Sequence, residues 1–267
     1  MKSRKRNRKQ KKSYNLRITG VIWAWTIMCM LFVTNEYYPF RSLWESLFPI
    51  HYKHFDQYGI KLPTQYSVHG IDVSHHQGKI NWEMASKMKV ENISLQFVFI
   101  KATEGVTFVD KRFKENWKES KKHQFKRGAY HYFNPNQKGE LQASHFINQV
   151  ELLKGDLPPV IDVEELGDVS PQRLMEGLLQ CAKKLEHHFG VKPIIYTFHN
   201  FYKTNFDTTF NKFPLWIAHY YQKEPSNKVW KIWQHNDRGR VSGINYPVDF
   251  NTFRNDSIQF QQLLLKH

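Results

Sequence analysis

Short apolar runs of strand length recur along the chain from residue 68 onward. The first five are VHGIDV, QFVFIKA, RGAYHYF, PPVIDVE and KPIIYTF. Successive runs are offset by 28, 31, 31 and 34 residues, measured at Gly70, Val98, Ala129, Val160 and Ile194. A strand followed by a crossover helix has this length, and parallel strands need such a connection. The pattern therefore predicts a wound α/β array.

The segments between these runs have the period of helices. The clearest helix begins after Ser170, a good N-cap, has Pro171 in its first turn and ends at Gly190. Its apolar side chains recur every three or four residues and form one face, made by Leu174, Leu178, Cys181, Leu185 and Phe189. A second helix is predicted over DKRFKENWKESKKHQF, with Asp110 as its N-cap.

The spacing between successive apolar runs becomes shorter after Ile194. The runs PLWIAHY, KVWKIWQ and YPVDF follow at offsets of about 21, 15 and 17 residues, which are too short for full crossover helices. Eight strands in this order predict a closed or nearly closed β/α barrel, TIM-like but with some helices missing. No low-complexity linker interrupts the chain after residue 67, so residues 67–267 are predicted to form one domain.

Charge and hydropathy set the N-terminus apart from this domain. Net charge is +15, but residues 1–17 hold nine Lys or Arg and no acid, which leaves 30 bases against 24 acids in the rest of the chain. Residues 18–33 (ITGVIWAWTIMCMLFV) carry no charge and are predicted to be an uncleaved transmembrane signal anchor. The basic tail then stays in the cytoplasm, and the C-terminal bulk is exported to the periplasm or cell surface.

A cleaved signal peptide is the alternative for the apolar segment. A nucleic-acid partner is not predicted, because the basic tail adjoins a hydrophobic span and not a folded nucleic-acid-binding domain. Residues 34–66 are mixed and weakly periodic, and they are assigned as a juxtamembrane stem. Cys29 lies in the apolar span and Cys181 in a predicted helix, so no internal disulfide is expected.

The run LPPVIDVEE places two acids on a predicted buried strand. Because side chains alternate across a strand, Asp162 and Glu164 point to the side of Val160. Ile161 and Val163 face the opposite side. Two carboxylates this close cannot both ionise freely, so one keeps its proton near neutral pH, as a general acid requires. The alternative is a strand-end pair that binds a structural cation or caps the following helix.

Polar side chains also end the other predicted strands, and active sites of parallel barrels gather at that end. These side chains are Asp72, Glu104, Tyr130 with His131, Tyr196, His219, Gln234 and Asp249. They predict a single site at one mouth of the barrel. His75 and His76 are adjacent on an extended segment and point apart, so no metal site is predicted there.

The motifs HGIDVSHHQGKINW, FVFIKATEG, GAYHYF, LPPVIDVEE, PIIYT, PLWIAHY, IWQH and VDFNTF follow one another in this order. The series resembles that of glycoside hydrolase family 25, the lysozymes (N-acetylmuramidases) of the Chalaropsis type, and the resemblance spans about residues 67–255. It implies a flattened, irregular β/α barrel with fewer than eight helices. It also implies peptidoglycan as the partner and no metal or organic cofactor.

The same resemblance implies roles for particular residues. Glu164 is the general acid/base, and Asp162 assists the 2-acetamido group of the substrate, which is the internal nucleophile. Asp72 and Asp249 match the other two active-site acids. Substrate-binding positions are matched by Glu104, Tyr130, His131, Tyr196, Trp216 and Gln234. The i, i+2 spacing of the acid pair by itself leaves retention or inversion of configuration open.

The expected function is that of a membrane-anchored peptidoglycan hydrolase, which cleaves the β-1,4 bond between N-acetylmuramic acid and N-acetylglucosamine. Two alternatives stay open at this point. One is an inactive barrel that only binds glycans at the cell wall. The other is a hydrolase of another N-acetylhexosamine polymer.

Overall fold

A computed structural model describes residues 52–221, 223–226 and 230–266. The predicted basic tail, the predicted transmembrane segment 18–33 and the first part of the predicted stem lie outside the described residues. Within those described ranges, no helix has the length and apolar character needed to cross a membrane. The membrane anchor therefore stays a prediction.

Eight strands form a closed barrel. All strands of the described ranges are β1 (Tyr52–Phe55), β2 (Ile60–Pro63), β3 (His69–Val73), β4 (Lys89–Val90), β5 (Ile93–Glu104), β6 (Phe108–Val109), β7 (Lys126–Tyr132), β8 (Val160–Asp162), β9 (Ile194–Phe198), β10 (Leu215–Ala218), β11 (Trp230–Gly239) and β12 (Val248–Phe253). The barrel order is β3-β12-β11-β10-β9-β8-β7-β5, and β5 pairs back to β3. Each of the eight apolar runs is one of these strands, which confirms the predicted β/α barrel.

One barrel strand runs against the others. Neighbouring strands are parallel except at β12, which is antiparallel to both β11 and β3. Asp249, near the start of β12, pairs in register with Asp72, near the end of β3. The sequence pattern predicts that Asp249 lies at the C-terminal end of a strand. It lies instead at the N-terminal end of a reversed strand, which reaches the same mouth of the barrel as the C-terminal ends of the parallel strands.

The helices lie between the parallel strands and after the last strand. They are α1 (Trp82–Lys87), α2 (Phe113–Lys122), α3 (Gly139–Gln149), α4 (Pro171–Phe189), α5 (His199–Asn205) and α6 (Ser257–Leu263), with 3-10 helices at His75–Gln77 and Thr208–Lys212. The caps predicted for α4 are confirmed. The Ser170 hydroxyl accepts a hydrogen bond from the Arg173 backbone N–H at 3.2 Å, and Gly190 ends the helix with φ of 67°.

The prediction that Asp110 caps α2 is wrong. Arg112 occupies the N-cap position and makes no side-chain capping bond. The Asp110 carboxylate instead accepts from the Arg112 backbone N–H at 2.8 Å and from the backbone N–H and Nδ1 of His75 at 2.9 and 2.7 Å. Asp110 therefore ties the loop after β3 to the loop before α2.

Strand alternation divides the apolar side chains into two layers. Inside the barrel, Val160 packs in a cluster that includes Trp216. On the outside, Ile161 and Val163 join the larger core that the helices complete. The predicted parity of this strand is therefore observed, and Asp162, two residues after Val160, faces the barrel interior.

The hairpin β1–β2 covers part of the barrel where the chain passes from β11 to β12 without a helix. Phe55, Tyr58 and Leu62 are buried in the same outer core as Phe250 of β12. The rings of Tyr58 and Phe250 lie 5.3 Å apart, and the Tyr58 carbonyl accepts from the Arg240 backbone N–H at 2.8 Å. These residues of the predicted stem thus fold with the barrel, in a compact unit that begins at residue 51.

Candidate active site

Four carboxyl groups meet at the mouth of the barrel. Asp72 lies near the end of β3, Asp162 ends β8, Glu164 follows two residues later, and Asp249 lies near the start of β12. The acids are close enough to interact electrostatically. The charge of Glu164 raises the pKa of each of the other three, and the charge of Asp72 raises the pKa of Asp162 and of Asp249. The structure therefore brings the four predicted acids together.

Asp72 and Asp249 form a pair that shares a proton. Asp72 Oδ2 accepts from Gln234 Nε2 at 2.8 Å and from Asn251 Nδ2 at 2.7 Å. Burial outweighs these bonds and raises the pKa of Asp72 to about 6. Burial, together with the Asp72 charge and hydrogen bond, raises the pKa of Asp249 to about 9. At neutral pH the carboxyl group of Asp249 therefore carries the proton and donates a hydrogen bond to the Asp72 carboxylate.

The two amides that hold Asp72 are themselves oriented by aromatic side chains. Trp216 Nε1 donates to Asn251 Oδ1 at 2.7 Å. The hydroxyls of Tyr196 and Tyr220 each donate to Gln234 Oε1 at 2.7 Å. These bonds settle which end of each amide is the acceptor, so both NH₂ groups point to the carboxylate.

Asp162 is the more enclosed member of the second acid pair. It is 6% exposed, and its Oδ1 is buried without a hydrogen-bond partner among the described residues. Burial and then the nearby charge of Glu164 raise the pKa of Asp162 well above its usual value. A buried carboxyl oxygen left without a donor is costly, and a substrate N–H at this position would satisfy it.

Glu164 is half-buried and more accessible than Asp162. Burial raises the pKa of Glu164, while the charge of Lys101 and then the nearby Tyr196 hydroxyl oppose that rise. Lys101 Nζ lies 2.7 Å from Glu104 Oε2, and the lysine side chain is only 12% exposed. Lys101 also lowers the pKa of Asp162. One buried cation thus limits how far both acids of this pair are driven toward the neutral form.

The predicted substrate-binding residues fall into three groups. Glu104 and Tyr130 lie at the mouth, where Glu104 forms an ion pair with Lys101. The pKa of Tyr130 is raised mainly by burial and further by the charges of the nearby acids. Tyr196 and Gln234 belong to the network under Asp72. The other two predicted residues do not reach the open part of the site.

His131 and Trp216 require correction. His131 faces away from the mouth, fully buried, with Nδ1 2.7 Å from Thr103 Oγ1 and Nε2 3.1 Å from Gln142 Oε1. It joins β7 to α3 and does not line the cleft. Trp216 is 2% exposed and stacks on Phe99 at 4.4 Å, so it supports the site from beneath and presents no face to a sugar.

Several residues of the site were missed in the sequence. Asn251 lies two positions after Asp249, and Tyr132 two positions after Tyr130, so strand parity alone points to both. Tyr132 pairs in register with Asp162, and the charge of Glu164 adds to burial in raising its pKa. Lys101 stands inside the motif FVFIKATEG, where only Glu104 was singled out. Tyr220 closes the motif PLWIAHY and shares the parity of Trp216, so the same rule points to it.

A metal centre is not evident in the described part of the chain, where no group of three or more His, Cys, Asp or Glu has the arrangement of a metal site. The prediction that His75 and His76 lie on an extended segment and point apart is wrong, since they begin the 3-10 helix His75–Gln77 and their ring centres are 4.1 Å apart with 34° between the planes. The Nδ1 atom of His75 is bonded to Asp110.

Comparison with known proteins gives consistent results. The family model "Glycosyl hydrolases family 25" matches residues 71–244. The chain is 47% identical over 204 residues to the uncharacterized protein YegX of Escherichia coli O6:H1, which covers 76% of this chain and 75% of that protein. It is 30% identical over 213 residues to lysozyme M1 of Streptomyces globisporus, with 73% and 71% covered. A family 25 glycosyl hydrolase from Bacillus anthracis is structurally similar, with a TM-score of 0.69, 33% identity and coverage of 80% and 98%.

Proposed function

The chain belongs to family 25 of the glycosyl hydrolases, and from that premise we propose that it cleaves the β-1,4 bond between N-acetylmuramic acid and N-acetylglucosamine in peptidoglycan. It is a glycoside hydrolase of the lysozyme type. The observation that carries the proposal is the pair formed by Asp162 and Glu164, which face one mouth of the barrel with Asp162 Oδ1 lacking a donor among the described residues.

Glu164 is the proton donor in this proposal. It is the more accessible acid of its pair, and burial raises its pKa, which favours the protonated form that a general acid needs. The leaving O4 atom takes this proton as the bond from C1 to O4 breaks. The Glu164 carboxylate then accepts a proton from the water that attacks C1, and so returns to its starting form.

Asp162 assists the substrate's own nucleophile. The 2-acetamido oxygen forms a bond to C1 as O4 leaves, and the acetamido N–H donates to the unpartnered Oδ1 of Asp162. This hydrogen bond favours the ionised form of Asp162, whose charge in turn raises the pKa of Glu164. Substrate binding therefore moves the shared proton onto the residue that has to donate it. Water then opens the oxazolinium ring with net retention of configuration, an exception to the rule based on carboxyl separation.

Asp72 and Asp249 act on the other side of the mouth. Their shared proton leaves one negative charge there, held by the amides of Gln234 and Asn251. This charge stabilises the positive charge that develops on the sugar ring in the transition state.

The test digests purified peptidoglycan and analyses the products by mass spectrometry after reduction of the new chain ends. We expect N-acetylmuramic acid to carry the new reducing end. Glu164→Gln is expected to lower kcat by about 100-fold or more, since an amide cannot donate the proton. Glu165→Gln is the matched control, because Glu165 is the exposed neighbour. Near-normal turnover by Glu164→Gln would refute the assignment, and new ends on N-acetylglucosamine would refute the bond.

Activity confined to chitin-like polymers would favour another N-acetylhexosamine substrate. Purified chitin oligomers digested beside peptidoglycan separate these outcomes, since both polymers offer an acetamido group next to the bond that breaks.

We further propose that residues 18–33 anchor the enzyme in the membrane and that the hydrolase domain is exported. The proposal rests on the uncharged apolar segment and the nine basic residues that precede it. Replacing residues 1–50 by a cleavable signal peptide keeps the β1–β2 hairpin and releases the domain. Activity on intact wall is then expected to fall while activity on soluble fragments persists, because anchoring raises the local concentration near the polymer. Equal activity of both forms on intact wall would contradict it.

A further inference from the structure

We propose that three rings beside the catalytic mouth, His76, His75 and Phe108, form a ledge that binds a further sugar of the glycan strand. The inference rests on the proposed function, because it concerns where the same polymer continues beyond the bond that is cleaved. We call these three residues the ring ledge. None of them was among the residues predicted to bind substrate.

The three rings form a cluster in which the plane of the His75 ring is inclined by 34° to that of His76 and by 56° to that of Phe108. The rings of His75 and His76 lie 4.1 Å apart with 34° between their planes, and the rings of His75 and Phe108 lie 6.1 Å apart. Phe108 is 43% exposed, although it lies in a strand that pairs with the wall of the barrel. Within this cluster, the exposed ring of Phe108 offers an apolar face to a flat, partly apolar ligand.

The ring ledge is held rigidly. Asp110, whose side chain is fully buried, accepts from both the backbone N–H and Nδ1 of His75. Phe108 pairs in register with Glu104 of β5, and its carbonyl is 2.9 Å from His145 Nε2. A rigid exposed ring loses little conformational entropy when a ligand stacks on it, which favours binding.

The ring ledge is continuous with the catalytic acids. Lys101 Nζ lies 5.7 Å from the centre of the Phe108 ring and 4.8 Å from that of Tyr132. Tyr132 pairs in register with Asp162. One wall therefore runs from Asp162 through Tyr132 and Lys101 to Phe108, so a sugar polymer held at the acids extends along it toward the ring ledge.

The three tryptophans of β10 and β11 are not accessible for stacking. Trp216, Trp230 and Trp233 are at most 2% exposed. Tyr221 is exposed, but Arg238 lies over its ring at 5.2 Å, and its hydroxyl bonds to Asp237. Phe108 is therefore an exposed ring that combines a fixed position with a direct connection to the acids.

The test measures how binding depends on oligomer length. Short and long β-1,4-linked N-acetylglucosamine oligomers, which share the glycan backbone of peptidoglycan, are titrated calorimetrically into the Glu164→Gln protein, which does not consume them. The measured quantity is the ratio of the two dissociation constants. Phe108→Ala in this background is expected to reduce the advantage of the long oligomer by about fivefold to tenfold.

Two further substitutions separate stacking from general hydrophobic contact. Phe108→Tyr is expected to keep the advantage of the long oligomer, and Phe108→Leu to lose it. Ile258→Ala is the control, since Ile258 is 70% exposed on α6 and lies outside the ring ledge. Thermal unfolding of each variant checks that the fold is intact.

An unchanged ratio in Phe108→Ala overturns the ring ledge, as does a Phe108→Leu variant that behaves like Phe108→Tyr. If the wild-type enzyme hydrolyses peptidoglycan while the ratio is insensitive to Phe108, only the ring ledge fails. If the wild-type enzyme neither hydrolyses peptidoglycan nor binds the oligomers, the proposed function fails and the ring ledge fails with it.

Discussion

Replacing Tyr58 by alanine tests whether the β1–β2 hairpin is an integral part of the folded hydrolase. Tyr58 lies outside residues 71–244, the segment that matches the family model. It is nevertheless 0% exposed, with its ring 5.3 Å from that of Phe250 and 6.4 Å from that of Phe55. Its hydroxyl donates to the Ile93 carbonyl at 3.2 Å. The side chain therefore joins the hairpin to two barrel strands, β12 and β5.

The expected loss follows from these contacts. Truncation of a large buried aromatic side chain to alanine costs about 3–5 kcal/mol of unfolding free energy. Tyr58→Phe keeps the packing and removes one hydrogen bond, so it is expected to cost about 1 kcal/mol. Lys53→Ala is the control on the same hairpin. It removes an exposed ion pair with Glu91, and a change within about 0.5 kcal/mol is expected.

The assay is urea unfolding of a chain that begins at residue 51, followed by tryptophan fluorescence and analysed as a two-state transition. If Tyr58→Ala unfolds at the same urea concentration as the wild type, the hairpin does not contribute to the fold and the argument fails. If the predicted order of the three variants is observed, removal of residues 1–66 would destabilise the enzyme. A released domain should then start at residue 51.

Three further predictions concern the acids and the helix packing. Lys101→Met removes the charge that lowers the pKa of Asp162 and Glu164, so the acidic limb of the pH profile for kcat/KM should move to higher pH; an unmoved limb would contradict this role. Asp249→Asn removes a buried acid whose folded pKa is about 9 against an ordinary value of 3.8. Such a group stabilises the fold at pH values below its ordinary pKa and loses that contribution as pH rises through its folded pKa of about 9. Urea unfolding should therefore show the stability of the wild type falling between these two pH values, and that of the variant falling less. Parallel curves for the two proteins would exclude this role of Asp249. Gly139→Ala should destabilise the protein in thermal unfolding, since a Cβ would lie 1.9 Å from the Gly177 carbonyl oxygen. Gly177→Ala, whose Cβ meets only a ring atom at 3.6 Å, should leave the free energy of unfolding unchanged or raise it by up to about 1 kcal/mol. Equal effects of the two substitutions would show that α3 and α4 pack differently.

Strand parity carried most of what could be predicted at the acid pair. Val160 and Asp162 share the interior side, and Ile161 shares the helix side with Val163, because the side-chain period of a strand is fixed. The same rule, applied to GAYHYF, excludes His131 from the mouth once Tyr130 is placed there. His131 is polar but buried, and it is satisfied by Thr103 and Gln142, which lie far from it in sequence or on another element.

Direction and long-range packing were beyond the sequence pattern. The short offset before YPVDF excludes a crossover helix, but it does not predict that the strand runs antiparallel to its neighbours. The alternation of side chains along a short strand is the same for either direction of the chain. The hairpin strands β1 and β2 are four residues each, and their apolar side chains acquire a buried face only against Phe250 and its neighbours. The burial of Trp216 likewise depends on Asn251 and Phe99, which no local pattern places beside it.

The arrangement of the four acids suggests why an acetamido group matters in the proposed reaction. Burial raises the pKa of every member, and each side of the mouth has one element that opposes the rise: the amides around Asp72, and Lys101 beside Glu164. Between Asp72 and Asp249, repulsion is relieved because the pair retains a proton. On the Asp72 side that proton rests with Asp249. On the other side, the proposed mechanism has a proton move to Glu164 when a donor reaches Oδ1 of Asp162, which has no partner among the described residues. In the proposed reaction, a sugar without an N–H at carbon 2 supplies neither that donor nor the internal nucleophile, so the proposal predicts a preference for N-acetylated polymers.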